Sequence, residues 1–379
     1  MKILTVIENV DEKTGGGAAE RARQISLKLS SSGHNVTLLT TKCYLSELTV
    51  ENLKNIELIC LPCLNKRFYI PLPKILLINK LIRNSDVIQM FSHWTLINAL
   101  VFFISVLNKK PYIINPLGAT PVFGRSALLK KLFNLVVGKR IIKSASKCVV
   151  ATREESRSLE SLGVKKENIL HIPNGVNEED YKQKGNKDFR INLNISNPFI
   201  LFIGRLNPIK GPDLLLKAFC SIKDDFKNLD LVYIGPNEGM FFELEELAIK
   251  ESVEKRVHFL GYVSKEDKSR IIDSSLFLTV PSRQEAMSIV VLESGISGKP
   301  VLITDQCGFN EVEEDMHGGI VVQPSLEGLA SGITKMLENR DRLNSMGENL
   351  RKNIRKRYLW SILAEEYTSL FNEIKLKQV

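Results

Sequence analysis

Two glutamates, Glu285 and Glu293, are separated by seven residues in the run Gln284-Glu285-Ala286-Met287-Ser288-Ile289-Val290-Val291-Leu292-Glu293. Upstream lies Gly204-Arg205-Leu206-Asn207-Pro208-Ile209-Lys210-Gly211. An ionised carboxylate accepts several hydrogen bonds and so suits the hydroxyls of a polyol. Arg205 offers a planar fork to phosphate oxygens and Lys210 a compact charge. Gly204 lets the backbone approach a ligand, and Gly211 can turn the chain into a helix. A sugar joined to a nucleoside through a diphosphate asks for both sets of groups. Each motif also has an ordinary reading. Glu293 can be a solvated helix residue, Glu285 a charge favoured at a helix start, and the Arg–Lys segment a basic surface turn.

Two further groups belong to the first half. Gly15-Gly16-Gly17 follows a strand and precedes a helix expected at Ala18, where exposed amides can meet an anion or a sugar. It is not a dinucleotide fingerprint, because the third glycine of Gly-x-Gly-x-x-Gly would fall on Glu20, which argues against a dehydrogenase. His93 follows the fourth strand, where a neutral imidazole can donate to a sugar hydroxyl or take part in proton transfer. A packed or helix-capping histidine is its ordinary alternative. The other four histidines show no metal-ligand spacing, and no Asp-x-Asp motif is present.

Such residues need elements to position them. A chain of 379 residues suits two domains, and its 44% hydrophobic and 25% charged residues are those of a globular protein. Short β-rich runs alternate with amphipathic helical runs. Strands are expected at Lys2–Ile7, Asn35–Thr40, Ile56–Leu61, Asp86–Phe91, Tyr112–Asn115 and Cys148–Ala151. After a polar, turn-rich stretch from Pro173 to Pro198 the rhythm restarts at Phe199–Ile203, Leu231–Ile234, Val257–Leu260, Leu276–Val280, Val301–Ile303 and Ile320–Val322. Strands separated by helices argue for parallel sheets covered on both faces, hence an α/β chain with two doubly wound domains. Glu285, Arg205 and Lys210 then fall at carboxyl edges of strands, where open α/β sheets bind ligands.

Charge is uneven. Residues 1–180 hold 25 Lys and Arg against 15 Asp and Glu, and the remainder 27 against 28. A basic first half suggests an anionic partner. Nucleic acid is disfavoured, since no aromatic-interleaved basic motif, zinc finger or helix-turn-helix pattern occurs. The segment Arg125 to Lys147 combines Leu128, Leu129, Leu132, Phe133, Val136 and Ile141 with Lys130, Lys131, Lys139, Arg140, Lys143 and Lys147. It reads either as a helix resting on an acidic bilayer or as one packed on the sheet. The apolar run Trp94–Leu107 is too short for a bilayer span. No signal peptide is expected from the first residues. The six cysteines read as small buried side chains without zinc or redox spacing, in a reducing cytosol.

The Gly-Arg-x5-Gly and Glu-x7-Glu signals, with Gly298-Lys299-Pro300-Val301, resemble the retaining glycosyltransferases of family 4, which have the GT-B fold. The resemblance implies two Rossmann-like domains facing a central cleft: 1–175 for the acceptor, 196–355 for the nucleotide sugar, and a helix 356–379 crossing back to the first domain. It implies that Arg205 and Lys210 bind the donor diphosphate, that Glu285 contacts the transferred sugar and that Glu293 binds the ribose. Gly17, Gly204, Ser288, Ile289 and Val290 complete the donor site. Gly16, Gly17 and Gly118 fall on the acceptor side, and His93 joins Arg205, Lys210 and Glu285 as catalytic. Where the family often has Glu-x-Phe-Gly-Leu, this chain has Glu285-Ala286-Met287-Ser288-Ile289, so the sugar preference can differ.

The function implied is retaining, metal-independent transfer of a hexose from a nucleotide sugar to a saccharide acceptor, without a cofactor. By family habit and the basic first half, the acceptor is expected to be lipid-linked, in assembly of a bacterial surface polysaccharide. The protein is expected in the cytoplasm, peripheral on the inner face of the membrane. A sugar-nucleotide epimerase or phosphorylase of the same fold, or a non-catalytic nucleotide-binding scaffold, are the alternatives.

Overall fold

The computed structural model describes residues 1–118, 127–182 and 195–377. Its chain forms two compact units, one of Met1–Asn174 with Trp360–Val379, the other of Gly175–Leu359.

The first unit holds β1 (Lys2–Val6), β2 (Asn35–Thr41), β3 (Glu57–Leu61), a short hairpin of β4 (Cys63–Asn65) and β5 (Ile70–Pro71), then β6 (Val87–Phe91), β7 (Tyr112–Asn115), β8 (Lys147–Val150) and β9 (Ile169–His171). Seven of them form a sheet ordered β3-β2-β1-β6-β7-β8-β9, every pair parallel. Side-chain alternation splits its core into two layers. Leu4, Val6, Ile88, Met90 and Ile114 pack under helices α2 (Ile75–Asn84) and α3 (Leu96–Leu107). Ile3, Ile7, Val36, Leu38, Phe91 and Ile113 pack under α1 (Gly16–Ser31) and the C-terminal helix Trp360–Leu376. That last helix buries Trp360, Leu363, Tyr367, Leu370, Phe371 and Ile374, a stripe at three- and four-residue spacing.

The second unit holds β10 (Phe199–Ile203), β11 (Asp230–Ile234), β12 (Val257–Phe259), β13 (Leu278–Val280), β14 (Val301–Thr304) and β15 (Gly319–Val322) in a parallel sheet ordered β12-β11-β10-β13-β14-β15. In both sheets the first strand lies in the middle and the order reverses beside it, between β1 and β6 and between β10 and β13. These reversals are the switch points at which doubly wound sheets take ligands.

Several expectations differ from this structure. β9 and the β4–β5 hairpin were not expected, because runs of two or three residues carry no legible period. The helix after the glycine triplet starts at Gly16 instead of Ala18. The segment 127–143 is not one helix. It runs Ala127–Phe133, a π turn Asn134–Gly138, then Lys139–Lys143; Arg125 and Ser126 lie outside the described residues. Of the cysteines, Cys43 and Cys63 form a disulfide with Cα atoms 5.7 Å apart, so the reading of six unpaired side chains fails for this pair. The parallel register explains the choice. Thr41 lies opposite Leu61, so the chains leaving β2 and β3 carry residues 43 and 63 out side by side, while Cys60 stays opposite Thr40.

Among the described residues no helix is long and apolar enough to cross a membrane, and no group of three His, Cys, Asp or Glu side chains is placed to hold a metal ion.

Candidate active site

In the second unit the chain leaves β10 at Ile203 and makes a tight 3-10 turn, Pro208–Lys210. Asn207 starts that turn: its Oδ1 accepts from the Lys210 amide at 3.1 Å. Gly211 ends it at φ 68°, in the left-handed region, with the Pro281 carbonyl where a Cβ would lie. Helix α4 (Pro212–Ser221) follows. The loop after β13 lies directly against this turn. Arg283 grips Asp213 with both guanidinium nitrogens, at 2.8 and 2.6 Å. It also donates to the Pro208 carbonyl at 2.6 Å, and its backbone amide bonds the Ile209 carbonyl at 2.8 Å. Burial alone would raise the Asp213 carboxyl, but the Arg283 hydrogen bonds and charge outweigh it and lower it. Neither Arg283 nor Asp213 was singled out by sequence, since an Arg–Asp pair 70 residues apart leaves no local signal.

This stitching brings the two expected motifs together. Lys210 Nζ lies 2.7 Å from Glu285 Oε1, both side chains mostly buried. Ser282 Oγ donates to Glu285 Oε2 at 3.2 Å, and the Glu285 amide donates to the Gln306 carbonyl at 2.9 Å. Beside them the Cys307 thiol is pushed up to about 12, by burial and then by the Glu285 charge, so it stays protonated. Three residues past Glu285, Ser288 precedes helix α5 (Ile289–Ile296). Ser288 is fully buried and its hydroxyl does not cap the helix, so the first-turn amides, those of Ile289 and Val290 included, take no bond from that side chain.

Arg205 and Glu293 are placed differently. Arg205 is half-exposed and donates to Glu238 Oε1 at 3.0 Å, while Glu238 also accepts from Asn207 at 2.7 Å. Glu293 is buried on α5, and Lys268 of the helix Lys265–Ser274 meets its Oε1 at 2.7 Å. Its Oε2 is buried with no partner among the described residues.

In the first unit, residues at the β1–β6 switch point form a second polar cluster. Asp11 is buried and shapes the loop before the glycines. It accepts from the Lys13 and Thr14 amides and from Thr14, Ser46 and Thr49 hydroxyls. Burial would raise its carboxyl, but these bonds win and hold it at about 2. Gly16 and Gly17 are exposed at the start of α1, whereas the Gly118 amide is taken by Glu155. Glu8, just past β1, accepts from Ser92 Oγ at 2.9 Å, and its Oε2 is buried without a partner among the described residues. Burial pushes this carboxyl up to about 7, against the lowering effect of its own backbone amide and Ser92. His93 follows, buried, with Nε2 2.9 Å from Asn134 Oδ1. The cap of α3 is Thr95, so His93 is a packed residue rather than a cap.

Residues 183–353 match the model described as glycosyl transferases group 1, and residues 15–180 match that of glycosyltransferase family 4. A D-inositol 3-phosphate glycosyltransferase of Nocardia farcinica is 30% identical over 219 residues, 55% of this chain and 49% of that protein. The chain spans about half the length of the curated relatives it matches. Among solved structures, Anabaena HepE in complex with UDP and glucose is similar with a TM-score of 0.80 at 18% identity, over 98% of this chain and 100% of that one. WaaG, a glycosyltransferase involved in lipopolysaccharide biosynthesis, is similar with a TM-score of 0.72 at 20% identity, over 97% and 99%. At these identities the likeness is one of fold, two Rossmann-like α/β domains of the GT-B type. With its two halves matched by the two family models, this chain belongs to the group 1, family 4 glycosyltransferases.

Proposed function

We propose that this chain is a retaining, metal-independent hexosyltransferase that moves a hexose from a nucleotide sugar to a lipid-linked saccharide during synthesis of a bacterial surface polysaccharide. The observation that carries the donor half is the meeting of Lys210, Glu285 and the start of α5 at the β10–β13 switch point. Lys210 and Arg205 supply positive charge for a diphosphate, the first amides of α5 supply donors along the helix dipole, and the two glutamates supply acceptors for hydroxyls. The UDP and glucose bound by HepE are of the same ligand class.

In the reaction, the bond between the anomeric carbon and the diphosphate oxygen breaks. The acceptor oxygen bonds the same face of that carbon, and the acceptor hydroxyl proton passes to the leaving phosphate oxygen. Negative charge grows on the diphosphate as the bond lengthens, and a preorganised Lys210 is worth most at that moment.

The acceptor half of the proposal rests on the segment after residue 126. Its leucines point outward: Leu128 is 80% exposed and Leu135 77%, with Leu129, Leu132 and Val136 more than half exposed. Lys131, Lys139, Arg140 and Lys143 are exposed among them. Apolar side chains ringed by cations suit an anionic bilayer surface, where a lipid-linked acceptor would be met. WaaG, similar in fold, acts in lipopolysaccharide biosynthesis.

A thermal-shift screen with UDP-, GDP- and ADP-sugars tests the donor half, each in excess EDTA and with Lys210→Ala as control. Stabilisation by one donor class, kept in EDTA and lost in the variant, is the expected result. A response that needs added Mg²⁺ would overturn the metal-independent scheme, and silence with every donor would favour a scaffold.

A further inference from the structure

His93 and Trp94 aim two ring nitrogens at one atom. Trp94 Nε1 lies 3.0 Å from Asn134 Oδ1 and His93 Nε2 lies 2.9 Å from the same oxygen. An indole N–H is a donor and nothing else, so the Asn134 atom facing it must be the amide oxygen. That oxygen is an acceptor, so His93 Nε2 must carry a proton to bond it. The imidazole is neutral besides: burial is the main cause that pushes it down to about 4, and the Asn134 bond only partly opposes this. Lys130 lies over the Trp94 ring, with Nζ 4.4 Å from its centre.

With Nε2 protonated in a neutral ring, Nδ1 carries a lone pair. It is buried and has no donor among the described residues. Such an orphaned acceptor at a switch point needs an explanation.

We propose that Asn134 is a positioning residue that locks His93 in its Nε2–H tautomer, so that His93 meets a ligand as a hydrogen-bond acceptor for a hydroxyl, through Nδ1. The local chain is built for this. Asn134 opens the π turn, a form that recurs at functional sites. A Cβ on Gly138 would lie 2.5 Å from Asn134 Oδ1 and 3.1 Å from His93 Nε2, so only glycine leaves the oxygen its place. Phe133 packs edge-on against the imidazole at 5.9 Å and fixes the ring plane. In this arrangement His93 would accept from a hydroxyl rather than donate to it. The tautomer stands without reference to any reaction, whereas its use on a sugar hydroxyl rests on the transfer proposed above.

The test is ¹⁵N NMR of the full chain labelled at histidine, with His93 assigned by loss of its signals in His93→Gln. We expect Nε2 protonated and Nδ1 bare from pH 5.5 to 8.5, with no titration. Asn134→Asp keeps an oxygen for both donors and adds charge, so the fold is retained and His93 should begin to take up a proton at Nδ1 within that range. Asn134→Leu should give mixed tautomers and, with a donor that wild type turns over, a rate about tenfold lower. A protonated Nδ1 in wild type, or an unchanged tautomer in Asn134→Leu, overturns the proposal. The expected tautomers with no turnover of any donor would uphold the role of Asn134 and sink the transferase reading.

Discussion

Lys210 and Glu285, 75 residues apart in sequence, form a 2.7 Å ion pair across the β10–β13 switch point. The pair holds the ammonium next to the carboxylate expected to read the sugar, and both lie at the carboxyl edge of adjacent strands. A cation and a carboxylate are therefore preset at one place. Lys210→Ala should lower turnover about 10²-fold or more, as loss of one preorganised donor commonly does. Steady-state rates with the donor found by thermal shift would check this, and a rate within twofold of wild type would sink the assignment.

The outward leucines predict surface binding. Leu128→Asp with Leu132→Asp should weaken sedimentation with vesicles rich in anionic lipid at least tenfold while leaving the melting temperature unchanged, because both side chains are already exposed. Equal binding by wild type and variant would remove the membrane from the proposal.

Glu8 and His93 predict opposite pH responses. The Glu8 carboxyl is raised in the folded state to about 7 from 4.5, so between these values the folded protein keeps a proton that the unfolded chain has lost. Stability from this group is full below 4.5 and fades as pH rises to 7. His93 is lowered to about 4 from 6.5, so its contribution is full above 6.5 and fades as pH falls. Glu8→Gln removes the first effect only. Its melting temperature relative to wild type should climb from pH 4.5 to 7 and then level off; parallel curves would refute the shift.

Arg21 predicts the importance of the C-terminal helix to the first unit. This fully buried guanidinium donates to the Asn174 amide oxygen at 2.9 Å, the Ile172 carbonyl at 2.7 Å and the Tyr367 hydroxyl at 2.9 Å. Tyr367 in turn donates to Asn115 at 2.5 Å. Arg21→Met takes a charged donor away from three polar groups in the core and should cost about 3 kcal/mol. Urea unfolding followed by tryptophan fluorescence would measure it, since Trp360 lies on that helix.

Much of this was readable in one dimension because its physics is local. Parallel strands buried on both faces are nearly all apolar, so Phe199–Ile203 and Tyr112–Asn115 stand out from their helices to the residue. Glycine and proline mark the turn at Gly211, and two glutamates with seven residues between them mark the loop and helix after β13. The alternation of strands and helices then dictates two doubly wound units, and carboxyl edges follow from strand direction.

Partners that lie far apart in sequence were decided only by tertiary structure. Arg283 with Asp213, Lys268 with Glu293 and Cys43 with Cys63 each depend on which strands lie side by side and in what register. Nothing in the composition of 127–143 says which way its leucines face; the sheet settles that by taking Val137, Ile141 and Ile142. The tautomer of His93 is the extreme case. It depends on an asparagine 41 residues away and on a glycine that leaves room for its oxygen. Residue types and spacing determine what chemistry is on offer, whereas burial and contact geometry determine which protons and charges are present to perform it.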